Sequence, residues 1–279
     1  MRRKIRKTVT GSTQKDGAGV KLVRVISRPD VEEFDPFLML DAFDSTDPAD
    51  YVKGFPWHPH RGIETVTYLI EGTIEHGDNL GNQGSIQDGC CQWMTAGSGI
   101  LHQEMPKESR RMLGLQLWLN LPQKDKMTPP QYRDIRAEQI PVVQTDSGTT
   151  RVISGSFQGT NGPAQGDFVP MTMLDVAVLP GGQWSLSVPF ENTVFLYVVR
   201  GSGVFEESGS VVQEKHAVLF HEGDDLVVQA SAETGVRFVL FSGRPLQEQI
   251  AWGGPIVMNT REELQKAFQE LEEGTFIRS

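Results

Sequence analysis

Gly54-Phe55-Pro56-Trp57-His58-Pro59-His60-Arg61-Gly62-Ile63-Glu64-Thr65-Val66-Thr67-Tyr68-Leu69-Ile70-Glu71-Gly72 is the stretch on which the reading of this chain turns. Two histidines separated by one residue precede a run rich in β-branched and aromatic residues, with glycine at its end. Side chains at i and i+2 of an extended strand point to one face, so His58 and His60 present two imidazoles together. His102-Gln103-Glu104 repeats the spacing further on. Two such strands side by side assemble three imidazoles and one carboxylate, which suits a first-row divalent ion and leaves coordination positions for water or substrate. A site of that kind is open, hence catalytic rather than structural in style. Glu64 competes with Glu104 for the carboxylate role, because an unbroken strand from His58 places it on the same face.

Outward from this stretch the chain keeps the same texture. The runs Thr65–Ile70, Gly114–Leu119, Val194–Val199 and Val236–Phe241 read as sheet-core strands, and 29 glycines and 16 prolines punctuate the sequence. The class is mainly β. One helix is legible: Thr260-Arg261-Glu262-Glu263 has the form of a capping box, Leu264, Phe268 and Leu271 supply an apolar face, and Gly274 stops it. Apolar runs give way to Gly, Asn, Gln and Pro between Pro122 and Pro130 and again between Gly155 and Gly166. The segment Glu64–Gly72 is echoed by Asn192–Gly201, an internal repeat of one β-domain. These features divide the chain into residues 1–125 and residues 126–279, the second part carrying the terminal helix.

Gly54, His58, His60, Glu64 and Gly72 match the first motif of the cupin barrels, and Gly89 through His102 supplies the second. The longer phrases Gly54–Val66, Gln92–His102 and Glu104-Met105-Pro106 resemble the pirin family. So do Asp35–Asp41, Gly114–Asn120 and the Gly253–Thr260 stretch. The resemblance implies two tandem cupin barrels, that is double-stranded β-helices of jelly-roll type, with a C-terminal α-helix. It implies one Fe(II) per chain in the N-terminal barrel, with other divalent first-row metals as substitutes, held by His58, His60, His102 and Glu104. Glu64 then lies behind the ligands or in the outer pocket. The implied activity is that of a quercetin 2,3-dioxygenase, opening a flavonol ring with dioxygen and loss of carbon monoxide. In that scheme Glu104 is the catalytic base that takes the 3-hydroxyl proton. Arg61 either steadies the substrate anion at the pocket mouth or forms a surface ion pair. A reading from another class is a metal- and redox-dependent regulatory binding protein that modulates a transcription factor or metabolic enzyme; a third is an inert scaffold that has kept its ligands.

The remaining candidates read as structural. His76, just before a hairpin turn at Asn79–Asn82, is expected at a partly exposed strand end. Aligning Gly201 on Gly72 puts Ser187, Pro189 and Thr193 where the first half has His58, His60 and Glu64. The second barrel, with His216 and His221, is therefore expected to be metal-free. Cys90 and Cys91 are adjacent, which excludes an ordinary disulfide between them, and are expected to be small buried hydrophobes. With 26 Lys+Arg against 36 Asp+Glu the formal net charge is −10, so direct binding to nucleic acid is not expected. The basic run Arg2–Lys7 reads as a solvated terminal strand or tail. No apolar run is long enough for a membrane span and none follows the basic residues as a secretory signal would require, which makes a cytoplasmic address the expectation. The expected partners are a flavonol or related phenolic and dioxygen, with a protein partner under the regulatory reading. Two fused barrels that cover each other's open faces suggest a monomer.

Overall fold

Strands that are buried along their whole length mark the centres of two sheets. Ile63–Glu71 and Met112–Asn120 have almost every residue inside, as does Val236–Gly243. The polar strand Ser12–Asp16 is exposed throughout and lies at a sheet edge, where its free backbone groups meet water. The computed structural model describes residues 1–207 and 209–277. These form two compact units, in agreement with the mainly β reading.

One unit comprises residues 12–32, 37–137 and the chain from 246 onward. Its seven-stranded antiparallel sheet runs in the order Gln131–Ile135, Cys91–Thr95, Ile63–Glu71, Met112–Asn120, Phe37–Ser45, Val20–Ile26, Ser12–Asp16. A four-stranded sheet in the order Phe55–His60, Ile100–Pro106, Ile74–Asp78, Gln83–Ile86 completes it. Ile100–Pro106 alternates buried and half-buried residues, so one of its faces is turned inward. The apolar filling includes Leu69, Ile74, Ile86 and Met112 in one cluster and Ile63, Met94, Ile100 and Trp118 in another.

The other unit comprises residues 1–11, 33–36 and 138–245. Thr193–Val204, Val236–Gly243 and Met171–Val178 are consecutive neighbours in its ten-stranded sheet. Val194, Leu196, Val198, Phe238 and Leu240 interlock with Trp184 and Leu226 in its core. Each such side chain, fully buried, contributes about 1.5–3 kcal/mol against remaining exposed.

The expected division at residues 125/126 is corrected at three places. Gln131–Ile135 pairs with Cys91–Thr95, so the first barrel extends to Ala137. Ile5–Thr10 pairs with His216–Phe220, so the N-terminal strand belongs to the second barrel's sheet. The segment from 246, terminal helix included, belongs with the first barrel. The common cause is that backbone N–H and C=O groups require partners, and strand pairing takes them from whichever sheet has a free edge, regardless of distance along the chain.

The basic N-terminal run leads into the strand Ile5–Thr10 and is not a loose tail. Arg3, only 2% exposed, donates to the carbonyls of His221, Pro189 and Phe190. The helix Arg261–Glu272 starts as read: Glu263 N donates to Thr260 Oγ1, and Thr260 N donates to Glu263 Oε2. Its inward face is Leu264, Ala267 and Leu271, with Phe268 at the exposed border. No helix among the described residues is long and apolar enough to cross a membrane.

Candidate metal centre

Phe55–His60 and Ile100–Pro106 run antiparallel with His102 directly opposite His58 and Ile100 opposite His60. The two-residue period then puts His58, His60 and His102 on one face. Their ring centroids are 4.9 Å apart for His58 and His60, 4.3 Å for His58 and His102, and 5.1 Å for His60 and His102. One ligand nitrogen from each lies within 4.8 Å of the other two. The three predicted imidazole ligands are thus brought together from widely separated parts of the sequence.

Their protonation suits a cation. Burial, reinforced by the neighbouring His58, pushes His60 down to about 3, and burial with the same crowding holds His102 well below the usual histidine value. Both rings are therefore neutral near pH 7, the form that donates a lone pair. Nδ1 of His60 lies 3.1 Å from the Pro255 carbonyl and Nδ1 of His58 lies 2.9 Å from the Pro56 carbonyl. A carbonyl only accepts, so each Nδ1 carries the hydrogen, and in neutral His60 the Nε2 keeps its lone pair. Neither ring nitrogen of buried His102 has a hydrogen-bond partner among the described residues. An imidazole buried without a partner is costly, and a metal ion in the middle of the triad removes that cost. The donor set fits a divalent first-row metal.

Glu104 lines the same cavity as His58 and His60, yet its carboxylate is outside the three-nitrogen cluster. Gln116 Nε2 donates to both of its oxygens at 3.0 and 2.9 Å, and Thr67 Oγ1 donates to Oε1 at 3.2 Å. Gln116 and Thr67 are cross-strand partners and are themselves bonded at 3.0 Å, so the carboxylate rests on a preassembled pair of donors.

Glu64 does not lie on the ligand face that an unbroken strand from His58 would give it. The strand from His58 is interrupted at Arg61–Gly62, where Gly62 has φ +77°, and the alternation restarts at Ile63. Glu64 ends up buried, accepting from Thr95 Oγ1 at 2.6 Å and absent from the cavity wall. Arg61 has neither of its expected roles. It is 2% exposed, and its guanidinium is bound to Glu270, to the Ser98 and Phe276 carbonyls and to the Phe276 ring. Packing of the chain's last segment over this position removes it from both water and the cavity.

The cavity measures about 730 Å³, within the usual range for small-molecule sites. Met39, Phe55, Trp118 and Trp252 supply apolar walls, and Trp118 stands edge-on to His60 with centroids 4.9 Å apart. On the polar side Arg24 grips Asp41 through two hydrogen bonds of 2.9 and 2.8 Å and reaches Asp16 at 2.7 Å. Gln116, Thr67, Trp252 and Pro255 are among the residues around the site to which the sequence assigns no role. A glutamine between Leu115 and Leu117 in a sheet-core strand is the one signal that pointed inward.

The other histidines are apart from this centre. His76 is buried, contrary to the expectation of a strand-end position: its ring contacts Tyr132 and lies 3.3 Å from Asp134. Gly84 on the paired strand makes room, since a Cβ there would come within 2.6 Å of the His76 ring and 2.8 Å of the Asp134 carboxylate. In the second unit His216 Nδ1 lies against the Glu214 carbonyl and His221 is exposed. Ser187 and Thr193 use their hydroxyls on Asp225 and the Asp35 carbonyl. Both cysteines are free, Cys91 fully buried with its thiol pushed up by burial, Cys90 half-buried.

Comparisons with known proteins agree with this architecture. Residues 19–119 match the Pirin family model, and residues 173–277 match the model of the pirin C-terminal cupin domain. The chain is 43% identical over 277 residues to a pirin-like protein of Caulobacter vibrioides, covering 98% of this chain and 99% of that one. It is 39% identical over 269 residues to a pirin-like protein of Solanum lycopersicum, covering 96% and 91%. The crystal structure of a quercetin 2,3-dioxygenase from Acinetobacter baumannii superposes with a TM-score of 0.89 at 31% identity, covering 99% of each chain.

Proposed function

Because the chain belongs to the pirin family, we infer that it is an Fe(II)-dependent dioxygenase acting on flavonols such as quercetin, in the manner of a quercetin 2,3-dioxygenase. The observation that carries this reading is the cluster of His58, His60 and His102, two of which line an apolar-walled cavity that also contains a carboxylate. His58, His60 and His102 would hold the ion, with Glu104 as fourth ligand. Ferrous iron held there would supply the one-electron chemistry that removes the spin restriction on the reaction of an organic anion with dioxygen.

The chain's own residues account for the rest. Trp118, Trp252, Met39 and Phe55 offer flat and flexible apolar surface to a fused aromatic ring system. Glu104 accepts the 3-hydroxyl proton, and the donors Gln116 and Thr67 hold the carboxylate ready to receive it. The overall change takes up one dioxygen, opens the central ring of the flavonol and releases carbon monoxide. A flavonol with a free 3-hydroxyl provides the anionic donor, and an analogue lacking it does not.

Two measurements test the reading. Elemental analysis should give one metal per chain, lost in His58→Ala, His60→Ala and His102→Ala and unchanged in His216→Ala and His221→Ala. Oxygen uptake by the iron-loaded protein should require a flavonol with a free 3-hydroxyl. Metal-replete protein that consumes no oxygen with any flavonol, yet captures a protein partner only when iron is bound, would replace the enzyme by the regulatory function.

A further inference from the structure

We propose that Arg61 is a positioning residue of the metal centre: it latches the C-terminal segment whose Pro255 carbonyl selects the tautomer of His60. The inference rests on the metal-binding reading of the histidine triad.

Pro255 lies in the turn joining Ala251–Gly253 to Ile256–Met258, a hairpin with strands of three residues. So short a hairpin has little stability of its own and stays where its surroundings hold it. Arg61 provides much of that hold. Its backbone carbonyl accepts from Val257 N at 3.1 Å, and a bridge links Arg61 to Ile256. Its side chain reaches past the hairpin to the segment that follows. One arm donates to Glu270 Oε2 on the terminal helix at 2.6 Å, the other to the Phe276 carbonyl at 2.7 Å, and the guanidinium carbon lies 4.1 Å from the centre of the Phe276 ring. Nε donates to the Ser98 carbonyl at 2.7 Å and ties the latch to the barrel. A buried guanidinium requires these acceptors, and their fixed directions in turn fix the segment.

The consequence arrives at the neighbouring residue. His60 Nδ1 lies 3.1 Å from the Pro255 carbonyl, 195 positions away in sequence. While that carbonyl is in place, the ring's single hydrogen is on Nδ1 and Nε2 faces the triad. With the segment loosened, the hydrogen is free to move to Nε2, which blocks the lone pair the metal needs. The same segment carries Trp252, whose ring lies 5.8 Å from that of Trp118, itself in contact with His60. Arg61 thus acts on the centre through the Pro255 carbonyl without touching metal or substrate.

The test uses the full chain labelled with nitrogen-15. In metal-free wild-type protein, two-bond proton–nitrogen spectra should show His60 protonated on Nδ1 alone. Arg61→Met should give a mixture of tautomers and weaken Fe(II) and Ni(II) binding by roughly tenfold or more. Glu270→Gln, a milder change that guards against a misfolded Arg61 variant, should shift both in the same direction, and Arg61→Lys should restore part of each. Val228→Ala, a core truncation in the other unit, should lower the melting temperature while leaving tautomer and affinity alone. Wild-type metal binding with an unchanged tautomer and affinity in both latch variants overturns the latch and leaves the metal centre standing. Wild-type protein that keeps His60 protonated on Nδ1 but binds neither ion overturns the metal centre, and the positioning role with it.

Discussion

At the scale of single residues the two buried glutamates separate cleanly. Glu104 faces the cavity on a cradle of Gln116 and Thr67, and Glu64 is bound to Thr95 away from it. Glu104→Gln should keep metal through the three imidazoles and lose flavonol turnover by about 100-fold or more, because an amide cannot take the phenolic proton. Glu64→Gln should reduce turnover far less. Parallel metal analysis and oxygen-uptake assays check this; an active Glu104→Gln protein beside a metal-depleted Glu64→Gln protein would exchange their roles. The spacing of His58 and His60 and the extended segment around His102 are legible because ligand spacing and strand periodicity are local properties, whereas the pairing of the two strands is not. The place of Arg61 is not legible in the sequence, because a charged residue next to a ligand is expected at the water boundary and only the return of Glu270 and Phe276 to this spot puts it inside.

At the scale of elements, one turn decides how the first barrel and the terminal hairpin meet. Gly62 has φ +77°, and a Cβ there would come within 2.0 Å of the Val257 carbonyl oxygen. Gly254 has φ +52° with nothing near an added Cβ. Gly62→Ala should therefore destabilise by at least about 2 kcal/mol, combining left-handed strain with a backbone collision, whereas Gly254→Ala should show the strain alone, about 1 kcal/mol. Denaturant unfolding of the two variants checks the difference; equal losses would show that the close approach at Val257 is absorbed without cost. Strand runs such as Val194–Val199 and the Thr260 cap could be read because propensity and capping are written within a few residues. The break of alternation at Gly62, which moved Glu64 off the ligand face, could not. Glycine permits that conformation, and the close approach of the Val257 carbonyl, far along the chain, leaves no room for a side chain there.

At the scale of the whole molecule, the interior includes a lysine. Lys126 is 2% exposed, and its Nζ donates to the Gly62 and Val257 carbonyls and to Asn120 Oδ1, all neutral acceptors. Burial pushes it down to about 7, with Glu248 and Glu263 opposing from a distance. A lysine that is harder to protonate when folded binds fewer protons in the native than in the unfolded state between about 7 and 10.5. Stability should therefore rise with pH across that window, at up to about 1.4 kcal/mol per pH unit from this group. Lys126→Met should be less stable because three acceptors lose their donor, and its stability should be flatter between pH 7 and pH 9. Chemical denaturation at both values reads this directly, and identical slopes would mean that the charged form is retained. The division of the chain into barrels was only half legible for a related reason: composition marks weak stretches, but it does not say which sheet edge a distant segment will complete. The pairing of His60 with Pro255, a span of 195 residues, has a consequence in time as well as in space. All three histidines leave the ribosome long before the carbonyl that orients one of them. Contacts of such long range carry a loop-closure cost and are slow to form. A folding chain can therefore hold these three side chains together before the carbonyl that aims one of them arrives, and an ion that needs all three lone pairs would bind only after that contact has closed.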